Sequence, residues 1–189
     1  MKQKDLTIYI KIALLSAIAM ILMYIDFPVI PLFPWLKIDL SEVPVLMGGF
    51  AFGPMAAIFI ELIKNILIII VKGTNTGFVG EIANFIVGIS LVVPASIIYK
   101  RKNTKKGAII GMLFGILFLE IIGIISNVYF LLPAYGMQMD SAQLMQYVTV
   151  GLIPFNGLKG IIVSIVTYLL YKKVSIYILK NEYMRDSII

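Results

Sequence analysis

The chain has no cysteine and no histidine among its 189 residues, and only 14% of it is charged. The lack of cysteine excludes disulfides and thiol chemistry. The lack of histidine excludes imidazole metal ligands and histidine-based acid–base catalysis. The shortage of charge excludes an ordinary soluble surface, for which about a quarter of all residues would be charged. No G-x-x-x-x-G-K-[ST] segment occurs, so the usual phosphate-cradling loop for ATP is missing. Neither H-E-x-x-H nor a nucleophile elbow is found. An enzyme made from this sequence would have to work with carboxylates alone, and no paired-carboxylate spacing is visible. No catalytic residue, cofactor or metal site is expected.

What the chain does contain is apolar. Hydrophobic residues make up 60% of it, and the mean hydropathy is +1.00. Its solvent is therefore lipid, and the fold class is an all-α integral membrane protein in one domain covering residues 1–189. The net charge of +6 sits at helix ends, which is the membrane pattern and gives no reason to expect nucleic acid. The first apolar run follows lysines, as in a signal peptide. No small-residue cleavage site closes it, so it is read as a retained helix.

Spans are expected at about 8–25, 43–53, 54–72, 78–99, 107–131 and 154–171. The stretch 43–71 decides the count. As one helix it would be about 43 Å long, against a hydrocarbon core of about 30 Å. Positive charge belongs on the cytoplasmic side. The basic segments are Lys2/Lys4/Lys11, Lys100 to Lys106, and Lys172/Lys173 with Lys180 and Arg185. One helix over 43–71 would put the strongest of these, 100–106, opposite the N-terminus. Two helices broken at Gly53-Pro54 put all three on one side. Six spans follow, with both termini in the cytoplasm and a charged tail over 174–189. The segments 26–42, 73–77 and 132–153 then face outside. The first of these carries Pro28, Pro31 and Pro34, which forbid a regular helix. Its aromatics suit an ordered loop lying on the bundle.

Five polar residues collect at the outer ends of these spans: Glu81 and Asn84, Asn127, and Asn156 and Lys159. Glu81/Asn84 and Asn156/Lys159 are each three apart and share a helix face. Polar groups in a membrane span usually mark a substrate or ion path. An amide offers a donor and an acceptor side by side, which suits a ring edge where N–H and C=O alternate. Each residue taken singly could instead cap a helix or bond across helices. First-loop Asp39 and Ser41 add hydrogen-bonding groups. Trp35 and Phe78 offer stacking walls, although an interfacial aromatic belt would use the same residues. Glu61 and Lys64, at i and i+3 in the third span, either form a buried pair or belong to a proton relay. Glu120 in the fifth span has no sequence-local partner. Ala13 and Ala17 make a small-xxx-small pair in the first span, and Gly107, Gly111 and Gly115 a second stripe; such faces let another helix approach closely.

The layout of six spans, a long Pro- and aromatic-rich first loop, a short second helix running through Gly53-Pro54 and an Ala-x-x-x-Ala first helix resembles the S components of energy-coupling factor (ECF) vitamin transporters. The segment Leu36-Lys-Ile-Asp-Leu-Ser-Glu-Val-Pro44, followed by Gly80-Glu-Ile-Ala-Asn84, is similar to riboflavin-binding members of that family. The resemblance implies a vitamin pocket near the outer face, covered by the first loop. It implies that the chain carries no ATPase and docks, through Ala13 and Ala17, onto a transmembrane coupling subunit that works with two cytoplasmic ATPases of a bacterial cell membrane. Riboflavin would stack its flat ring, present its pyrimidine edge to Asn127 and Lys159, and bond its ribityl hydroxyls to Asn84, Asn156, Glu81, Asp39 or Ser41. Rival expectations are an S component for thiamine or biotin, a proton-coupled secondary transporter using Glu61/Lys64 or Glu120, and an intramembrane enzyme built on Glu61, Glu81 or Glu120.

Overall fold

A computed structural model describes residues 3–174, with side chains described over residues 6–171. The expected tail, beyond its first residue, and several of the terminal basic residues used in the charge argument lie outside the described residues. Among the described residues, five helical stretches are long and apolar enough to cross a membrane: Leu6–Tyr24, Pro54–Lys72, Val79–Lys102, Lys105–Ala134 and Ser141–Tyr171. A shorter apolar helix, Glu42–Phe52, makes the sixth. The protein is a multi-pass, all-α membrane protein.

Helix α1 spans Gln3–Tyr24. The first loop then forms a two-residue antiparallel pair, β1 (Phe27–Pro28) with β2 (Lys37–Ile38), in the register Phe27↔Ile38 and Pro28↔Lys37. Two tight turns, Phe33 N–H to Ile30 O and Leu36 N–H to Phe33 O, close the hairpin. Its Phe33, Leu36 and Ile38 are buried with Leu132, Leu152 and Phe155 in a cluster of their own. The loop is thus held by an apolar plug, not merely tethered.

Helices α2 (Glu42–Phe52) and α3 (Pro54–Lys72) are separated at Gly53. Gly53 has φ 95° and ψ 173°, a conformation that an L side chain resists. Pro54 opens α3 in its first turn, where the missing N–H costs nothing. At 11 residues, α2 is about 16 Å long, and it is buried along nearly its whole length. On α3, Leu62, Ile66 and Ile70 recur every fourth residue and are exposed, as lipid-facing positions must be. Ile60, Glu61, Lys64 and Ile68 face the bundle.

Helices α4 (Val79–Lys102) and α5 (Lys105–Ser126) pack against each other. The Gly107/Gly111/Gly115 stripe is used here. A Cβ at Gly111 would lie 2.6 Å from the backbone oxygen of Ala95, and one at Gly115 would run into the backbone of Leu91. Backbone cannot swing aside, so Gly111→Val is expected to cost about 1–3 kcal/mol through forced separation of α4 and α5. A lowered thermal midpoint of the purified protein in detergent is the check.

The C-terminal half departs from expectation. The fifth span continues past 131, through a π-helical turn (Asn127–Leu131) into α6 (Leu132–Ala134). Helix α7 (Ser141–Gln146) and a second π-helical turn (Tyr147–Leu152) then run without a break into α8 (Ile153–Val174). The last span therefore starts at 141 and not near 154, and much of 132–153 is helix. Two causes are local. Asp140 caps α7 in a reciprocal box, with Gln143 N–H donating to Asp140 Oδ1 at 2.8 Å and Asp140 N–H to Gln143 Oε1 at 3.1 Å. Each π turn also comes just before a proline, Pro133 or Pro154. A proline ring clashes with the carbonyl four residues back in a regular helix. Here Leu132 N–H reaches back five residues to Asn127 O, and Ile153 N–H to Val148 O, so the helix widens to pass the proline. Pro154 thus lies inside the last span and does not start it.

Candidate binding site

A cavity of about 370 Å³ opens at one end of the bundle. Its walls come from the C-terminal ends of α1 and α3, the N-terminal ends of α4 and α8, the π turn after α5 and the first loop. This end lies opposite the basic α4–α5 junction at Lys100–Lys106, since α4 starts here and ends there. The volume falls within the range of about 300–1,000 Å³ typical of small-molecule sites.

Seven of the nine residues expected to bind substrate line this cavity: Trp35, Asp39, Glu81, Asn84, Asn127, Asn156 and Lys159. Ser41 and Phe78 do not. Ser41 is fully buried below the cavity, where its Oγ accepts from Lys64 Nζ at 3.0 Å and lies 3.3 Å from Glu42 Oε2. Phe78 precedes α4 with a left-handed φ of 70° and is half exposed, so its ring is turned out of the site. Tyr135 lines the cavity instead. Burial pushes the Tyr135 phenol above its usual range; a hydrogen bond with Thr76 opposes this and the nearby Glu81 carboxylate adds to it.

The lining is polar in a specific way. Asn84 Oδ1 is buried without a hydrogen-bond partner among the described residues, whereas the Asn156 amide is within reach of the Glu120 carboxylate. Orphaned buried donors and acceptors are rare and need an explanation; a polar ligand supplies one. Asn156 lies over Gly123, where a Cβ would sit 2.7 Å from Nδ2. Asn127 donates to Gly123 O at 2.8 Å and accepts from the Tyr147 hydroxyl at 2.9 Å. Glu81 is already engaged, as Oε2 accepts from Thr74 Oγ1 at 3.1 Å and Thr76 Oγ1 at 2.9 Å, which pins the 73–77 turn to α4.

Beneath the cavity lies a buried charge cluster. Lys159 Nζ is 3.1 Å from Glu42 Oε1 and 3.6 Å from Asp39 Oδ2. Lys64 Nζ is 2.6 Å from Glu61 Oε1 and 3.5 Å from Glu42 Oε1. Asn65 Nδ2 donates to Glu61 Oε1 at 3.1 Å. The Glu61/Lys64 pair expected from spacing is therefore part of a larger set that ties the first loop, α2, α3 and α8 together. Burial alone would push the Asp39 carboxyl up; Lys159 and Lys64, with hydrogen bonds from Ser41, outweigh it and hold the group below the usual carboxylate range. Glu42, which touches both lysines, is absent from the expected set because it reads in sequence as an ordinary acidic first turn of α2. Glu120 lies apart from the cluster and faces Gly157 of α8, where a Cβ would sit 3.3 Å from Oε1. Among the described residues no group of three potential acidic, His or Cys ligands could hold a metal ion.

The family model for the ECF transporter, substrate-specific component, matches residues 7–171. The chain belongs to this family of S components. Among its relatives, a Staphylococcus aureus protein named riboflavin transporter RibU is 40% identical over 170 residues, covering 88% of this chain and 89% of that protein. A Bacillus subtilis protein named riboflavin transporter FmnP is 36% identical over 184 residues, covering 94% and 95%. A solved structure described as the S component of a bacterial ECF transporter superposes with a TM-score of 0.79 at 39% identity, covering 93% of this chain and 98% of that chain. ThiT from Listeria monocytogenes gives a TM-score of 0.61 at 21% identity, covering 90% and 96%, which shows the fold alone. This S component is thus a membrane transporter subunit, and its cavity is the place to look for substrate.

Proposed function

We propose that this S component is the high-affinity riboflavin-binding subunit of an ATP-driven ECF vitamin transporter. It takes riboflavin from the outer face and delivers it inward. What carries the reading is the match, over nearly the whole chain, to proteins named riboflavin transporters. The chemistry of the cavity supports it: a donor on Asn127, an ammonium on Lys159, an orphaned amide oxygen on Asn84 and the amide of Asn156 face a space lined by Trp35 and Phe155. In the bound state the flavin ring edge meets Asn127 and Lys159. The ribityl hydroxyls meet Asn84, Asn156, Asp39 and Glu81. Ser41 acts from below by holding Lys64, and Phe78 makes no ligand contact.

The positive charge of the α4–α5 junction supports a cytoplasmic position for that end and an outer position for the cavity, with both termini cytoplasmic in this reading. The chain has no ATPase of its own in this reading; a transmembrane coupling subunit and two cytoplasmic ATPases supply the energy. Ala13 is exposed and Ala17 half-buried on α1, leaving a shallow surface for a partner helix. Glu61 is tied by Lys64 and Asn65, which favours a structural pair over a proton relay.

Purified protein is expected to be yellow or to turn yellow on adding riboflavin, and to bind it in an equilibrium titration. No flavin binding at micromolar levels would sink the substrate assignment, and saturable binding of thiamine or biotin would replace it. Uptake into vesicles by a proton gradient, without an ATPase partner, would favour the secondary-transporter alternative. Ala13→Leu/Ala17→Leu is expected to leave riboflavin affinity within about two-fold of the parent, as surface changes usually do, and to abolish co-purification with the coupling subunit. Retained co-purification would move the docking face elsewhere.

A further inference from the structure

The Tyr147 hydroxyl is buried, does not line the cavity, and sits between two residues that do. Trp35 Nε1 donates to Tyr147 Oη at 3.3 Å, and Tyr147 Oη donates to Asn127 Oδ1 at 2.9 Å. Asn127 Nδ2 then donates to Gly123 O at 2.8 Å. The direction of this chain is fixed at the Asn127 end. An indole N–H can only donate, and a backbone carbonyl can only accept. The Gly123 carbonyl therefore holds Nδ2 and turns Oδ1, which can only accept, toward Tyr147, whose hydroxyl must donate; a flipped amide would lose the Gly123 bond. With Oδ1 turned to Tyr147 and one N–H spent on Gly123, what Asn127 has left for the cavity is its second N–H.

The backbone is built around this contact. Asn127 and Tyr147 are the first residues of the two π-helical turns, a feature frequent at functional sites. The Tyr147 ring is held edge-on by Phe33 of the first loop, with centroids 5.0 Å apart, and lies 6.2 Å from the Trp35 ring.

We infer that Tyr147 is a positioning residue that makes Asn127 a hydrogen-bond donor to the ligand, and that Trp35 holds the Tyr147 hydroxyl in place when the first loop is seated. This rests on the riboflavin reading, in which the donor meets a ring carbonyl. It couples closure of the loop to the recognition chemistry of the pocket, although Tyr147 itself touches no substrate.

The test is a double-mutant cycle in the full-length protein, with riboflavin affinity and Trp35 emission as readouts. Tyr147→Phe keeps the ring and removes the hydroxyl. It is expected to weaken riboflavin binding about ten-fold, the effect of one lost hydrogen bond. In an Asn127→Ala background the same change is expected to do nothing further. Additive losses would overturn the relay, since a packing role would act regardless of Asn127. Trp35 is the single tryptophan of the chain, so its emission reports the relay without any ligand. Both Tyr147→Phe and Asn127→Ala should shift that emission in the unloaded protein. If Asn127→Ala leaves it unmoved, the relay is wrong. A parent protein that binds no flavin removes the riboflavin reading instead, and the emission shifts still decide the relay.

Discussion

Lys64→Met is expected to be the most damaging single substitution in the protein, costing about 3–5 kcal/mol, the penalty for leaving a buried charge without its partner. Lys64 is fully buried. Its ammonium is 2.6 Å from Glu61, 3.5 Å from Glu42 and 3.0 Å from Ser41. The cluster holds three carboxylates, Asp39, Glu42 and Glu61, against two ammonium groups, Lys64 and Lys159. With all five ionised its net charge is −1, and losing Lys64 makes it −2 in a place where water cannot screen it. Glu61 would keep only the Asn65 amide. It has no room to turn away on the α4 side, since the carboxylate fills the space where Gly88 would carry a side chain. For a chain of this size each kcal/mol shifts the midpoint by about 2–4 °C, so a fall of roughly 6–20 °C in detergent is the expected reading. Adding Glu61→Gln returns the net charge to −1 and should recover a large part of the loss. A Lys64→Met protein as stable as its parent would mean that the cluster does not hold α2, α3 and the first loop together.

The same cluster shows where reading the sequence stops. The helix break at Gly53-Pro54 is legible because one helix over 43–71 would be too long for the bilayer and would put the basic segment 100–106 opposite the N-terminus; Gly53 and Pro54 only mark where the break falls. The five polar residues at span ends are legible because lipid makes any polar side chain conspicuous. Their gathering at one end follows from the number of spans. Glu61 with Lys64 is visible as an i, i+3 pair. Their link to Glu42, Asp39 and Lys159 is not, because those contacts join segments far apart in sequence, and hydropathy spacing carries no information on which buried charges meet. The start of the last span is missed for a different reason. The expected span begins at about 154, and the π turn that lets a helix pass through Pro154 has no pattern of its own. Tyr147 escapes notice for the same reason, since it lies in a stretch read as outer loop and touches the site only through Trp35 and Asn127.

Lys159→Met is expected to reduce riboflavin affinity by about 10- to 150-fold, the range given by the 1.5–3 kcal/mol of a hydrogen bond to a charged group. Lys159 is the cation in the cavity lining that is almost wholly buried, whereas Lys37 and Lys72 at the rim reach solvent and share Asp26. The difficulty is that Lys159 serves two ends. It faces the ligand space, and it also neutralises Glu42 at 3.1 Å and Asp39 at 3.6 Å. Affinity lost in the single variant could therefore come from a loosened first loop and not from a missing contact. The double variant Lys159→Met/Glu42→Gln separates the two, since Glu42 lies 3.1 Å from Lys159 and does not line the cavity. It restores the net charge of the cluster to −1 while the ammonium stays absent. Its thermal midpoint without ligand should move back toward that of the parent, and its riboflavin affinity should stay low. Recovery of both would make Lys159 a structural cation whose place in the cavity wall is incidental. Recovery of stability alone would assign it to the ligand.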